Sequence, residues 1–89
     1  MSLHFPNPSR SFDETKNRVQ FWGYDKAIEV SFYVEADAFK QLDPDMTNTE
    51  NGFLKAFDTA RDKIYEVADK VYGRGSKNNY VYVLASKDF

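Results

Sequence analysis

From Ala27 to Glu35 apolar and polar positions alternate. Ile28, Val30, Phe32 and Val34 point one way; Ala27, Glu29, Ser31, Tyr33 and Glu35 point the other. A period of two marks a strand buried on one face. Residues 18–24 alternate too, with Val19 and Phe21 as the apolar pair. A two-residue turn at Asp25-Lys26 joins the two segments, although it lacks the glycine that such turns favour. That turn sets Val19 against Phe32, Phe21 against Val30, Trp22 against Glu29 and Arg18 against Tyr33. A second turn through residues 14–17 sets Phe12 against Val19 and Arg10 against Phe21. Both turns put core side chains on one face, as a sheet with one buried face requires. The pattern predicts an antiparallel three-stranded meander at about residues 9–13, 18–24 and 27–35.

The period then changes to three and four. Phe39 and Leu42 share a face in a short helix over 37–42, which Asp43-Pro44 terminates. Thr47-Asn48-Thr49-Glu50 matches a capping box, with Thr47 as the cap and Glu50 reaching back. Phe53, Phe57, Ala60, Ile64, Val67, Ala68 and Val71 then form one apolar stripe, predicting a long amphipathic helix. Its other face carries Lys55, Asp58, Asp62, Lys63, Glu66, Asp69 and Lys70, and Gly73 and Gly75 suit its C-terminal end. Tyr80-Val81-Tyr82-Val83-Leu84 reads as a fourth strand. Together these elements make a two-layer α+β domain with the helices over one sheet face. The pattern does not specify where the fourth strand joins the sheet.

At 89 residues the chain forms a single domain, 1–89. Aromatics at 17% supply much of the buried area that so short a chain needs. A net charge of −2 excludes a broadly basic nucleic-acid binder. With no cysteine there is no disulfide, thiolate zinc site or cysteine nucleophile. The absence of cysteine fits a reducing compartment, no apolar run reaches the length of a membrane span, and the first residues lack the regions of a signal peptide.

The inventory of candidate chemistry is thin. His4 is the only histidine and has no acidic neighbour in sequence. Asp43-x-Asp45-x-Thr47 opens like a calcium loop, but Asn48 stands where the glycine belongs and Leu54 where the bidentate glutamate belongs. Asp58 and Asp62 lie among Lys55, Arg61, Lys63 and Glu66, as on a solvated helix face. No glycine-rich loop opens a helix to cradle phosphate. The residues point to no enzyme, no metal and no cofactor.

Two features stand out. Arg10 falls on the core side of an edge strand, where a charge needs a partner or acts as an edge guard. Trp22, Tyr24 and Tyr33 share the outer sheet face with Arg18, and Tyr80 and Tyr82 are candidates to join them. Such an area marks a contact surface unless the N-terminal segment, through Phe5 and Pro6, covers it. The expected function is a non-catalytic interaction or accessory module that forms a homodimer through this face or binds a protein partner. Arg10, Arg18, Trp22, Tyr24 and Tyr33 are the candidate surface. The alternative is a regulator that binds a small ligand or nucleic acid through Arg10, Arg18 and Arg74.

Several of these stretches also resemble a known family. They are Phe5-Pro6-Asn7-Pro8-Ser9-Arg10-Ser11-Phe12, Phe21-Trp22-Gly23-Tyr24-Asp25, Glu29-Val30-Ser31-Phe32, Ala56-Phe57-Asp58 with Arg61-Asp62, Val71-Tyr72 with Arg74-Gly75, and the closing Asp88-Phe89. The family is the one catalogued as domain of unknown function 1488. The resemblance covers nearly the whole chain, with Phe-Trp-Gly-Tyr-Asp its most specific part. It implies a bacterial, cytoplasmic, stand-alone domain, and it brings no activity and no site residues with it.

Overall fold

The computed structural model describes residues 3–6, 8–74 and 81–89. Strands β1 (Arg10–Asp13), β2 (Arg18–Asp25) and β3 (Ile28–Val34) form the antiparallel meander. Helices α1 (Ala36–Leu42), α2 (Glu50–Thr59) and α3 (Arg61–Arg74) follow, then strand β4 (Val81–Leu84) and a 3-10 turn, Ser86–Asp88. The sheet order is β1-β2-β3-β4, and β4 lies parallel to β3. A parallel neighbour needs a long crossover, and here the crossover contains all three helices. Tyr80 and Gly75 lie outside the described residues.

The first hairpin has the expected register, with Phe12 opposite Val19 and Arg10 opposite Phe21. Asn17, at φ 51°, takes the left-handed conformation that asparagine tolerates. The second hairpin is shifted by two residues from the expected pairing. Its turn is Lys26-Ala27, so that Val19 faces Val34, Phe21 faces Phe32, Trp22 faces Ser31 and Gln20 faces Tyr33. Lys26 carries the positive φ, 59°, that closes the turn. A shift of two preserves which side chains face the core, because strand parity has period two.

The helical layer departs from the expectation in two places. The stripe spans two helices, with Ala60 at φ −99°, ψ 15° between them. The C-cap amide of Ala60 still donates to Ala56 O and its carbonyl accepts from Ile64 N, so the stripe continues across the break. The cap of α2 is Thr49, whose side chain accepts from Gly52 N at 3.1 Å; Thr47 lies outside the helix and its carbonyl accepts from Thr49 N. Gly73 lies within α3.

The core lies between the sheet and the helices. Val19, Phe21, Val30, Phe32, Val34 and Leu84 from the strands meet Phe39, Phe53, Phe57, Ile64, Val67 and Ala68 from the helices. Ala60 and Val71, both expected in the stripe, pack at its margin, while Ala56 and Tyr72 are buried. Phe21 is the hub, with Phe32 at 5.1 Å, Phe57 at 5.3 Å and Tyr65 at 5.6 Å.

Candidate functional surface

Among the described residues of the N-terminal segment, Leu3 and Phe5 pack against the inner sheet face and not the outer one. His4 exchanges backbone hydrogen bonds with Tyr24, both at 2.8 Å, which extends the sheet along the free end of β2. The strand alternation then turns Leu3 and Phe5 inward. Phe5 stacks on Tyr65 with centroids 4.0 Å apart and also meets Phe21 and Phe32. Leu3 is buried, and its amide donates to Asp69 Oδ1 of α3. The arm is therefore part of the inner layer.

Arg10 is held on that same inner side. Its guanidinium forms a fork on Asp58, Nε to Oδ1 and Nη2 to Oδ2, both at 2.9 Å. Arg61 Nη2 shares Oδ1 at 2.7 Å, while Arg61 Nη1 donates to Pro8 O and to the Tyr65 hydroxyl. The Arg10 hydrogen bond, with Arg61 adding to it, holds the Asp58 carboxyl below its ordinary value. Asp58 was not distinguishable from a solvated helix face in the sequence, because its partner lies in a strand far away along the chain. The charge on Arg10 is the signal that something must answer it.

On the outer face the register builds two adjoining rows. One runs Trp22, Ser31, Val81; the other runs Gln20, Tyr33, Val83. Trp22, Tyr24 and Tyr33 are half-buried, whereas Val81 and Val83 are 57% and 46% exposed. The two valines are members of the surface that sequence reasoning missed. Tyr82 points the other way, buried against Phe32 and Tyr72. The parity of β4 decides this, and it could be set only once its alignment with β3 was known.

Charged groups border the patch. Arg18 lies 3.8 Å over the Tyr33 ring, held by Asp13 at 3.0 Å with Glu35 at 4.0 Å. The Arg18 hydrogen bond lowers the Asp13 carboxyl. At the other end Tyr24 donates to Glu29 at 3.2 Å, and that carboxylate raises the phenol. Arg10 and Arg18 thus stand on opposite faces, each answered by a carboxylate, while Arg74 is exposed at the end of α3. The three arginines do not line one cleft.

An open depression of about 280 Å³ lies between the α1–α2 loop and α2, lined by Asp43, Asp45, Met46, Thr47, Gly52, Lys55 and Ala56. It is below the usual size of a small-molecule pocket. Among the described residues no cluster of histidine and carboxylate side chains is placed to hold a metal, and no helix is long and apolar enough to cross a membrane.

The fold and its surface define a small two-layer α+β domain: a mixed four-stranded sheet, one face under helices and an N-terminal arm, the other face bearing aromatics. The chain matches the family described as "Protein of unknown function (DUF1488)" over residues 3–84, and it belongs to that family. It is also similar to a solved structure of a protein of unknown function from the DUF1488 family from Shewanella loihica PV-4. That likeness has a TM-score of 0.78 at 17% sequence identity and covers 94% of this chain and 93% of the other. At this identity the likeness shows the fold. No curated protein matches the chain.

Proposed function

We propose that the domain is a non-catalytic interaction module whose contact surface is the outer sheet face. The observation that carries this reading is the pair of adjoining rows that bring Trp22, Tyr33, Val81 and Val83 together, with Leu3 and Phe5 of the N-terminal arm packed on the opposite face. Apolar area of this kind, rimmed by Arg18, Asp13, Glu29 and Glu35, has the make-up of a protein contact with a polar border. Partly exposed tryptophan and tyrosine are side chains that concentrate binding energy.

The reading is tested by affinity purification from the native cell at mild salt, with wild type and with Trp22→Ser combined with Tyr33→Ser. A protein retained by wild type and lost by the variant is the expected result, provided the variant keeps its urea unfolding midpoint. Recovery of the same species with both proteins overturns the reading.

A further inference from the structure

The two edges of the sheet differ. β1 carries Arg10 and Asp13 and is led in by Pro8, charges and a proline of the kind that keep an edge from pairing. β4 has the sequence Val-Tyr-Val-Leu, with neither charge nor proline. The direction of its free groups follows from one hydrogen bond. Leu84 O accepts from Glu35 N at 2.9 Å, so the polar groups of Leu84 face β3. In a strand the N–H and C=O of one residue point to the same side and alternate along the chain. Those of Tyr82 therefore also face β3, and those of Val81 and Val83 face away from the sheet. The next outward group, the Ala85 amide, donates to Asp88 Oδ2 at 2.8 Å. Among the described residues nothing pairs with the outward groups of Val81 and Val83.

We infer that β4 pairs with β4 of a second copy, antiparallel about a two-fold axis at Tyr82. In that register Val81 of one copy lies opposite Val83 of the other, and each such pair exchanges both backbone hydrogen bonds. The outward groups are satisfied in full, and the strand needs no change of shape to achieve it. All the valines lie on the outer face, where they pack across the junction, since residues directly opposite share a face. Two four-stranded sheets become one, which is the isologous arrangement that two-fold symmetry requires. The charged edge at β1 stays outside and stops further growth. The pairing uses the backbone edge of β4 and does not depend on a partner for the outer face, although Val81 and Val83 belong to both; the variants at Trp22 and Tyr33 separate the two. Its consequence for the outer face is that two copies present their aromatic rows side by side.

Valine side chains at 81 and 83 are exposed, so charges can be placed there without disturbing the ladder to β3. Val81→Lys with Val83→Lys puts like charges opposite one another in the inferred register. Val81→Lys with Val83→Glu puts opposite charges there. Size exclusion with light scattering, across a concentration series, reads the mass. Wild type should reach twice the chain mass. The double lysine variant should weaken association by at least about tenfold, and the lysine–glutamate variant should restore it. Trp22→Ser with Tyr33→Ser should leave the dimer intact. A wild type that stays monomeric at millimolar concentration overturns the inference. So does a dimer that the serine pair dissolves and the lysine pair leaves alone, which would mean contact face to face. A dimer weakened equally by both charged variants also overturns it, because the antiparallel register would then be wrong.

Discussion

Phe5 lies flat on Tyr65, with ring centroids 4.0 Å apart and planes within 6° of parallel. This pair joins the N-terminal arm to α3 across the inner face of the sheet. Around it the arm is fixed by the His4–Tyr24 backbone pair, by Leu3 N on Asp69 and by Arg61 on Pro8 O. A segment outside the periodic elements thus supplies part of the core, which matters in a chain this short.

Gly23 makes room for the arm. A Cβ at this position would sit 2.7 Å from Cε1 of Phe5. Gly23→Ala should therefore destabilise by roughly 1–3 kcal/mol through overpacking. Phe5→Ala should cost roughly 2–4 kcal/mol through lost burial and stacking. In the double variant the alanine methyl at 23 has space, so its cost should largely disappear. Urea denaturation of the four proteins closes the cycle. Strictly additive effects would show that Phe5 does not rest on Gly23.

Gly52 offers a similar test with the opposite propensity. Alanine is the better helix former by about 1 kcal/mol, and Gly52 lies in the first turn of α2. A Cβ there would collide with the backbone carbonyl of Thr47, which has no flexible end to move aside. Gly52→Ala should therefore destabilise by roughly 1–3 kcal/mol. A rise in thermal midpoint would show that the loop yields and propensity wins.

The faces of the meander were legible in the sequence because alternation has period two, and a register shift of two leaves it intact. The first hairpin register was legible as well, where Asn17 accepts the left-handed turn position. The second was not, because Lys26 occupies that position without any residue-type signal. The break at Ala60 was hidden for a related reason: alanine marks no boundary, and the apolar stripe runs through it. Thr47 and Thr49 are equally good caps by type, and the backbone bond from Thr49 N to Thr47 O goes with the choice of the second. Of the candidate surface, Trp22, Tyr24 and Tyr33 follow from parity within the meander. Val81 and Val83 required the alignment of β4 on β3, which is a long-range pairing with no local trace.

Phe57 is fully buried against Phe21 and lies under the Arg61 guanidinium, 4.9 Å from its ring centroid. Phe57→Ala should cost roughly 3–5 kcal/mol, a large share of the stability of a small domain. The urea midpoint of purified protein measures it. A shift of less than about 1 kcal/mol would mean that the core closes over the cavity or that the packing between α2 and β2 is looser than the ring contacts indicate.

Asp58 makes the domain acid-sensitive through its two arginines. The Arg10 fork is the chief cause of its lowered carboxyl, with Arg61 adding to it. A carboxylate depressed in the folded state stabilises fully above its unfolded value, ordinarily 3.8. That stabilisation is lost as pH falls through the folded value, because the unfolded chain binds the proton first. Asp13, lowered by Arg18, acts in the same direction. Asp58 is 43% exposed, so solvent screening limits its contribution, and Asp58→Asn should cost roughly 1 kcal/mol at pH 7. Wild type should lose stability between pH 5 and pH 2.5, and Asp58→Asn should lose less over the same range, with Asp13 supplying part of what remains. The two proteins should therefore converge at acid pH when urea midpoints are measured at each pH. A gap between them that stays constant from pH 7 to pH 2.5 would show that shape, and not the charge on Asp58, holds Arg10 and Arg61 in place.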